Sequence, residues 1–516
     1  MHWTTLRHPP RICGTLFALG LAAALPTAQA ETFKVLHEFA MADGAAPEQQ
    51  GLIQGTNGDL YGTTQSGGLY SEGSVFKMSP GGNLTTLYSF CPPGTQGNCV
   101  DAAYPGALVL GSNGKIYGTT SGGGADSVGS VFVMSPGGAV TALSYFCALP
   151  PDGDNACGAY PVGALVQGPK GVFWGVTQGG GALGQGAKFE IGPRGILGSV
   201  SSFGCIAPNC NGGDYLVAGL IQGTDGNFYG TTEEGGTGSF GATQFGGSVF
   251  KIAPDGTMTT LYSFCSQSAC TDGQAPRASL VQGNDGNFYG TTAYGGTGTA
   301  CANGNSSIPG CGTVFKMTPD GTLTTLYGFC VQSGCTDGQN PAAPLILASD
   351  GNFYGTTSSG GATGSNICSD YICGTIFEIT PNGTLTTLHG LCEKRGCTSG
   401  GGPVAPVVQA TDGDFYGTTT VGGSGYGTVF RLSTGLGPFV KTVPTSGLVG
   451  AEILILGTDL TGATSITFNG TAATFTVASA SEIKTTVPAG ATTGTVEVTT
   501  LGGTLTSNTS FTVTPL

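Results

Sequence analysis

The chain has 516 residues, a net charge of −14 and only 9% charged residues, against 39% apolar residues and 95 glycines. So acidic a chain is a poor partner for nucleic acid, whose binding rests on counterion release by Lys and Arg. Its apolar and aromatic content excludes a disordered chain, and with so many turn formers it points to packed β-structure in more than one domain.

Residues 1–30 carry Arg7 and Arg11, an apolar run from Leu16 to Leu25 and a small-x-small end at Ala28-Gln29-Ala30. This is the pattern of an export signal, and the run is too short to span a membrane. Its removal takes away two arginines and no acid, and no Cys follows closely to accept a lipid. No later stretch approaches the roughly 18 unbroken apolar residues of a membrane span. The expectation is an exported chain without a membrane span, extracellular or at the cell surface, with the periplasm as the alternative.

From residue 31 the segment Asn-Phe-Tyr-Gly-Thr-Thr recurs with small changes, its aromatic falling at Tyr61, Tyr117, Trp174, Tyr229, Tyr289, Tyr354 and Tyr416, a period of 55 to 65 residues. Each unit reads as four strands: a short apolar run such as Leu280 to Gln282, the aromatic run, a Gly-Thr-Val-Phe-Lys run, and Leu-Thr-Thr-Leu-Tyr-x-Phe. Asp285-Gly286 and Asn382-Gly383 supply the positive φ that tight hairpins need. Such a meander has two apolar faces and must stack on its neighbours, radially as a propeller or linearly as a solenoid.

The chain ends favour the ring. The last unit reaches its third strand at Gly427 to Leu432 and lacks a fourth, whereas Val35-Leu36-His37-Glu38-Phe39 matches Thr387-Leu388-His389-Gly390-Leu391 position for position. A ring closed by pairing first and last strands requires that permutation, and an open solenoid has no use for it. The predicted fold is all-β: a seven-bladed β-propeller of four-stranded antiparallel blades over 31–437. One face should carry short turns and the other long loops.

Of 17 Cys, Cys13 leaves with the signal and the rest fall into near neighbours: Cys91 with Cys99, Cys147 with Cys157, Cys205 with Cys210, Cys265 with Cys270, Cys301 with Cys311, Cys330 with Cys335, Cys368 with Cys373, and Cys392 with Cys397. In an oxidising compartment these read as local disulfides that hold the long loops in shape. Four-cysteine zinc sites are the alternative, but the usual two-residue ligand spacing is missing. No metal site and no cofactor is expected.

Residues 438–516 contain no Cys and alternate apolar with polar residues, as in Ile466-Thr467-Phe468 and Thr495-Val496-Glu497-Val498. This is the pattern of a half-buried sandwich. With Pro444-Thr445-Ser446-Gly447, Gly457-Thr458-Asp459-Leu460, Phe468-Asn469-Gly470 and Val487-Pro488-Ala489-Gly490, the segment closely resembles the IPT/TIG family of immunoglobulin-like domains. The resemblance implies a spacer or docking module and no catalytic residue. Through Tyr-Gly-Thr-Thr, Gly-Gly and Gly-Thr-Val-Phe, residues 31–437 resemble the GloVer tandem-repeat family of bacterial exported proteins. That family carries varied C-terminal anchoring signals, whereas this chain ends at Val513-Thr514-Pro515-Leu516 without an apolar span and basic tail.

His37 and His389 share a repeat position that other units fill with Tyr88, Tyr262 and Tyr327, and they read as outer-strand surface residues rather than catalytic bases. Asp272 and Asp337, each in Thr-Asp-Gly-Gln-x-Pro, precede an innermost strand by eight residues; Asp43, Asp101 and Asp214 lie close to the same position. On the long-loop face these acids are placed near the channel mouth, where they would hold a cation or a hydroxyl-rich ligand, or act as a glycosidase pair. The alternative is that each braces its own turn by accepting backbone N–H bonds. Glu233 and Glu234 stand where other units have Ser or Ala and are read as a solvated pair or a catalytic dyad. Repeated Tyr and Trp174 would stack on sugars if exposed, or pack between blades. Three functions follow from these readings: a secreted or surface-displayed protein binding an extracellular glycan or protein through its loop face, a polysaccharide hydrolase or lyase using acids of that face, and a structural envelope or matrix protein.

Overall fold

The computed structural model describes residues 31–47, 51–92, 99, 101–147, 158–168, 171–181, 184–203, 215–237, 239–240, 244–298, 310–361, 373–392 and 397–515. Among these, regular structure is antiparallel sheet, with one short parallel pair of Ser446–Gly447 and Thr512–Val513, joined by turns and a few one-turn 3-10 segments. Residues 32–433 form seven four-stranded sheets. Sheet 1 is typical, with strands Ile53–Gln54, Leu60–Thr64, Ser74–Met78 and Leu84–Ser89 in sequence order, and sheets 2 to 6 follow within residues 103–145, 158–202, 221–263, 281–328 and 346–390.

Sheet 7 differs. Val408–Gln409, Phe415–Thr419 and Thr428–Ser433 are completed by Thr32–Glu38 from the other end of the chain. Phe33 pairs with Leu432, Val35 with Phe430 and His37 with Val429, so the register skips Leu36. In sheet 6 the register skips Leu388 in the same way, with Phe377 opposite Thr387 and Ile376 opposite His389. The N-terminal segment therefore occupies the fourth-strand place down to its bulge.

The recurrent Tyr-Gly-Thr-Thr strand has one task per residue. The tyrosine is buried against the next sheet, as Tyr229 is with its ring centroid 4.0 Å from Phe288 and Tyr289 at 4.0 Å from Phe353. Such offset pairs add roughly 0.5–1.5 kcal/mol to the burial of the rings. The glycine leaves room for the core, since a Cβ on Gly62 would stand 2.5 Å from Phe76 Cζ and 2.7 Å from Leu52 Cδ2. The first threonine donates to a carbonyl of the next sheet, Thr63 to Gly106 at 3.0 Å and Thr231 to Ala278 at 3.0 Å. The second bonds the residue that opens the third strand, Thr64 with Ser74 at 2.9 Å and Thr357 with Thr375 at 2.8 Å. These buried hydroxyls are thus satisfied within and between sheets, as burial demands, with Thr119 of sheet 2 the exception among the described residues.

The apolar clusters sit between sheets rather than within them. Tyr61 and Val75 of sheet 1 pack with Leu108 and Phe132 of sheet 2, and Tyr289 and Val314 of sheet 5 with Leu345 and Phe377 of sheet 6. Tyr416 and Val429 of sheet 7 pack with Leu52, Leu60 and Phe76 of sheet 1. Inner-strand glutamines repeat this order in polar bonds: Gln282 accepts from Thr224 N–H at 2.9 Å, Gln409 from Ser349 N–H at 2.9 Å, and Gln54 from Thr411 N–H at 3.0 Å.

Beyond residue 437 two further four-stranded sheets face each other, Lys441–Val443 with Glu452–Leu456, Glu482–Thr486 and Phe475–Ser479, and Thr471–Ala472 with Ser465–Phe468, Val496–Thr500 and Gly503–Thr506. Their alternating inward residues, Ile453, Ile455, Ile466, Phe468, Ile483, Val496 and Val498, make a core of their own. No described helix is long and apolar enough to cross a membrane.

Candidate functional site

The two ends of the sheets are chemically different. At the short-turn end the C-terminal sandwich is docked. Ser481 donates to the Thr56 carbonyl at 2.7 Å, Thr458 bonds the Thr411 hydroxyl at 3.0 Å, and Asn508 donates to the Leu347 carbonyl at 3.0 Å, each partner lying at a first-to-second-strand turn or just before it. Leu456 joins the apolar cluster of sheets 1 and 2. Between sandwich and sheets lies a cavity of about 440 Å³ lined by Ile53, Val109, Val166 and Ile221 of the inner strands and by Lys441 and Pro444. The Lys441 ammonium donates to the Gln409 carbonyl, and its burial lowers its pKa to about 8 despite nearby Asp412.

The opposite end carries the long loops, built on a repeated clamp. The residue before each innermost strand's proline donates its N–H to the preceding sheet: Ala46 to Tyr426 at 3.1 Å, Tyr104 to Glu72 at 3.0 Å, Tyr160 to Val128 at 2.8 Å, Ala275 to Gly246 at 2.9 Å and Asn340 to Cys311 at 2.8 Å. All five have positive φ, between 52° and 58°. The left-handed conformation is unfavourable for these residues, and the inter-sheet bond together with the seated proline holds it. Pro105 sits over Gly73, where a Cβ would come within 2.5 Å of its Cδ.

Disulfides staple this end. Cys91 is bonded to Cys99, Cys265 to Cys270, Cys330 to Cys335 and Cys392 to Cys397. Cys147, Cys311 and Cys373 are disulfide-bonded, and their expected partners Cys157, Cys301 and Cys368 lie outside the described residues, as do Cys205 and Cys210.

The candidate acids are engaged by donors of their own loops and of the strand before them. Asp272 is fully buried, and its Oδ2 accepts from the Tyr262 hydroxyl at 2.8 Å, the Ser266 N–H at 3.0 Å and the Ser266 hydroxyl at 2.9 Å. Asp337 accepts from the Tyr327 hydroxyl at 2.9 Å and the Val331 N–H at 3.1 Å. Asp101 accepts from the Tyr88 hydroxyl at 2.7 Å, and Asp43 bonds His37 at 3.1 Å and the Ala40 N–H at 2.8 Å. Each aromatic partner belongs to the outermost strand of the preceding sheet, so these carboxylates tie their inter-sheet loops to that strand, in stapled loops for Asp101, Asp272 and Asp337 and in a loop without a cysteine pair for Asp43. The repeat position of His37 is thereby explained as the hydrogen-bonding partner of this acid. Burial, with Asp272 adding to it against Ser266, pushes the Tyr262 hydroxyl up to about 12. Asp214 lies outside the described residues.

Glu233 is engaged by Arg277 of sheet 5, with Oε1 2.7 Å from Nε and 2.6 Å from Nη2. Glu234 has its pKa raised, by burial first and by Glu233 second. The repeat tyrosines are core residues, so no sugar platform is made from them. No group of three or more His, Cys, Asp or Glu among the described residues could hold a metal. Exposed aromatics do occur on this end: Tyr104 and Tyr160 at the clamp position, and Tyr215 at the matching place in sheet 4 before Leu216, are 44%, 46% and 47% exposed. The alternating-strand reading passed over them because it followed the residues that repeat, whereas these appear in three consecutive units only; aligning the units column by column exposes them.

The chain is therefore an all-β repeat protein of stacked four-stranded sheets, with a disulfide-stapled loop end and a sandwich docked on the other. It belongs to the Gloeobacter/Verrucomicrobia repeat family, which matches residues 4–243 and 237–475, and an IPT/TIG domain matches residues 438–513. No curated protein matches it in sequence. Among solved structures it is similar to a fungal alcohol oxidase in complex with copper, with 12% identity, 94% of this chain and 99% of that one covered, and a TM-score of 0.49. A polysaccharide lyase, an ulvan lyase bound to an oligosaccharide, is similar with 9% identity, 81% and 92% covered, and a TM-score of 0.43. The extracellular domain of a B. thetaiotaomicron protein assigned as a one component system is similar with 10% identity, 91% and 56% covered, and a TM-score of 0.44.

Proposed function

We infer that this is an exported binding protein whose stapled loop end engages an extracellular glycan. In this reading residues 1–30 direct export, residues 31–437 form a seven-bladed β-propeller closed by pairing of its terminal strands, and residues 438–516 are its IPT/TIG cap. The observation that carries the reading is the docking of the sandwich on the short-turn end through Ser481, Thr458 and Asn508, which leaves the rigid, stapled end as the surface for a ligand. Hydrolysis or elimination would need acids free to exchange protons with a substrate. Asp272 and Asp337 are consumed by Tyr262, Tyr327 and backbone donors, and Glu233 by Arg277, which supports binding over turnover.

Melting the mature chain, residues 31–516, in the presence of neutral and acidic polysaccharides tests this. Ligand binding to the folded state raises the midpoint by mass action. The expected result is a higher midpoint with one glycan class and no release of sugar ends. Release in the same wells would replace the binding reading by the enzymatic one, and a flat panel would favour a structural role in the envelope or matrix.

A further inference from the structure

Three neighbouring sheets place a tyrosine at one repeat position on the loop end: Tyr104 in sheet 2, Tyr160 in sheet 3 and Tyr215 in sheet 4, where the other described sheets have Ala46, Ala275, Asn340 and Gly402. The clamp fixes where the first two side chains start, and Tyr215 stands at the matching place before Leu216. Tyr104 and Tyr160 have φ of 56° and 58° and donate their N–H to Glu72 and Val128, and the Tyr215 carbonyl accepts the Glu233 N–H at 2.8 Å. Keeping an aromatic residue in a left-handed conformation costs on the order of 1 kcal/mol or more, which no core contact recovers for a ring nearly half exposed.

The surroundings are shaped to the rings. Tyr104 rests against Gly122, where a Cβ would lie 2.7 Å from its Cδ2, and Tyr160 rests against Gly179, where a Cβ would lie 3.2 Å from its Cδ2. The matching position in the other units is Ser66, Glu234, Tyr294, Ser359 or Val421. In sheet 5 the ring comes instead from Tyr294, and the Arg277 guanidinium covers it at 5.2 Å from the centroid, ending the row. Carboxylates flank the row. Glu72 raises the pKa of the Tyr104 hydroxyl, chiefly through a hydrogen bond, and Glu234 stands beside sheet 4.

We propose that Tyr104, Tyr160 and Tyr215 form a stacking row for successive sugar rings of a neutral glycan, with Glu72 and Glu234 receiving its hydroxyl groups. The proposal rests on the glycan-binding reading above and names its subsite and ligand charge. Flat apolar ring faces against which pyranose C–H groups pack, alternating with carboxylate acceptors, suit a hydroxyl-rich polymer; the same carboxylates on a chain of net charge −14 repel uronate or sulfated sugars.

The test uses the mature chain and affinity electrophoresis in gels containing a β-glucan, a mannan, a xylan or polygalacturonate. Retardation by a neutral polysaccharide is expected. The single changes Tyr104→Ala, Tyr160→Ala and Tyr215→Ala should each weaken it about 3- to 10-fold, and the triple change should abolish it. Alanine is suited to the position, since Ala46 and Ala275 occupy it with φ of 52° and 55°; a melt of each variant checks folding, and if the triple variant melts lower the singles carry the measurement. Undiminished retardation of the variants, or retardation by polygalacturonate alone, overturns the stacking row while leaving glycan binding intact. Absence of retardation by every polysaccharide overturns both.

Discussion

The Thr418 hydroxyl donates to the Pro47 carbonyl at 3.2 Å and joins residues 371 apart in sequence. It repeats between the last sheet and the first the bond that Thr63 makes to Gly106 and Thr291 to Ala343. Thr418→Val removes this donor and leaves a carbonyl at a buried junction. Val176 already holds the equivalent place in sheet 3, so the valine fits the strand. A loss of about 1 kcal/mol is expected, seen as a lower urea midpoint with an unchanged slope. A chain starting at residue 40 loses the whole strand Thr32–Glu38 and uncovers Val429 and Phe430. It should lose its cooperative melt; an unaltered melt would mean that sheet 7 and its contacts with sheet 1 hold without the N-terminal strand.

Asp272 and Asp337 separate a structural role from a chemical one by their unequal bonding. Asp272 accepts from Tyr262, twice from Ser266 and, at 3.3 Å, from the Gln267 N–H, while Asp337 accepts from Tyr327 and Val331. An asparagine turns one acceptor oxygen into a donor facing these donors. Asp272→Asn should therefore destabilise more than Asp337→Asn, by about 1–3 kcal/mol against about 1 kcal/mol, measured by thermal or urea unfolding. Equal and negligible losses would show that the carboxylates are not the braces of their loops.

The strands, their turns and the permuted first strand were legible because each rests on local chemistry: Asp285-Gly286 can only turn, and Val35 to Phe39 carries the same alternation as Thr387 to Leu391. The role of Asp272 was half legible. Its bracing of Ser266 N–H is local, but its bond to Tyr262 depends on the loop folding back onto the outermost strand, a path that the legible Cys265–Cys270 pairing does not specify. The docking of the sandwich was not legible, because Ser481 reaches Thr56 across 425 residues and both are ordinary turn residues in their own hairpins.

The sandwich covers apolar inner-strand ends, so its removal has two separable effects. A chain ending at residue 437 keeps the pairing of Thr32–Glu38 with Thr428–Ser433 and should still melt cooperatively. It also uncovers Ile53, Val109, Val166 and Ile221 around the cavity of about 440 Å³. The midpoint should fall, and binding of an apolar dye should rise with a tendency to self-associate. Loss of the cooperative melt would make the sandwich part of the sheets' own folding unit.

Lys441 couples that docking to pH. As a whole residue it is partly exposed, but its ammonium is withdrawn beside the Gln409 carbonyl, and burial lowers its pKa from 10.5 to about 8 against the pull of Asp412. Between these values the unfolded chain holds a proton that the folded chain has released, so stability rises as pH goes from about 8 to 10. Tyr354 and Tyr416 act in the other sense: burial raises them above the ordinary value of 10.0, so above pH 10 the unfolded chain gives up protons that the folded one keeps, and stability falls. Midpoints measured from pH 7 to 11 should therefore climb and then drop. Lys441→Met keeps the aliphatic stem and removes the charge. It should raise the midpoint at pH 7 and flatten the climb between 8 and 10, while the drop above pH 10 persists; a climb that survives in the variant would assign it to another group and leave Lys441 a solvated lysine at the edge of the cavity.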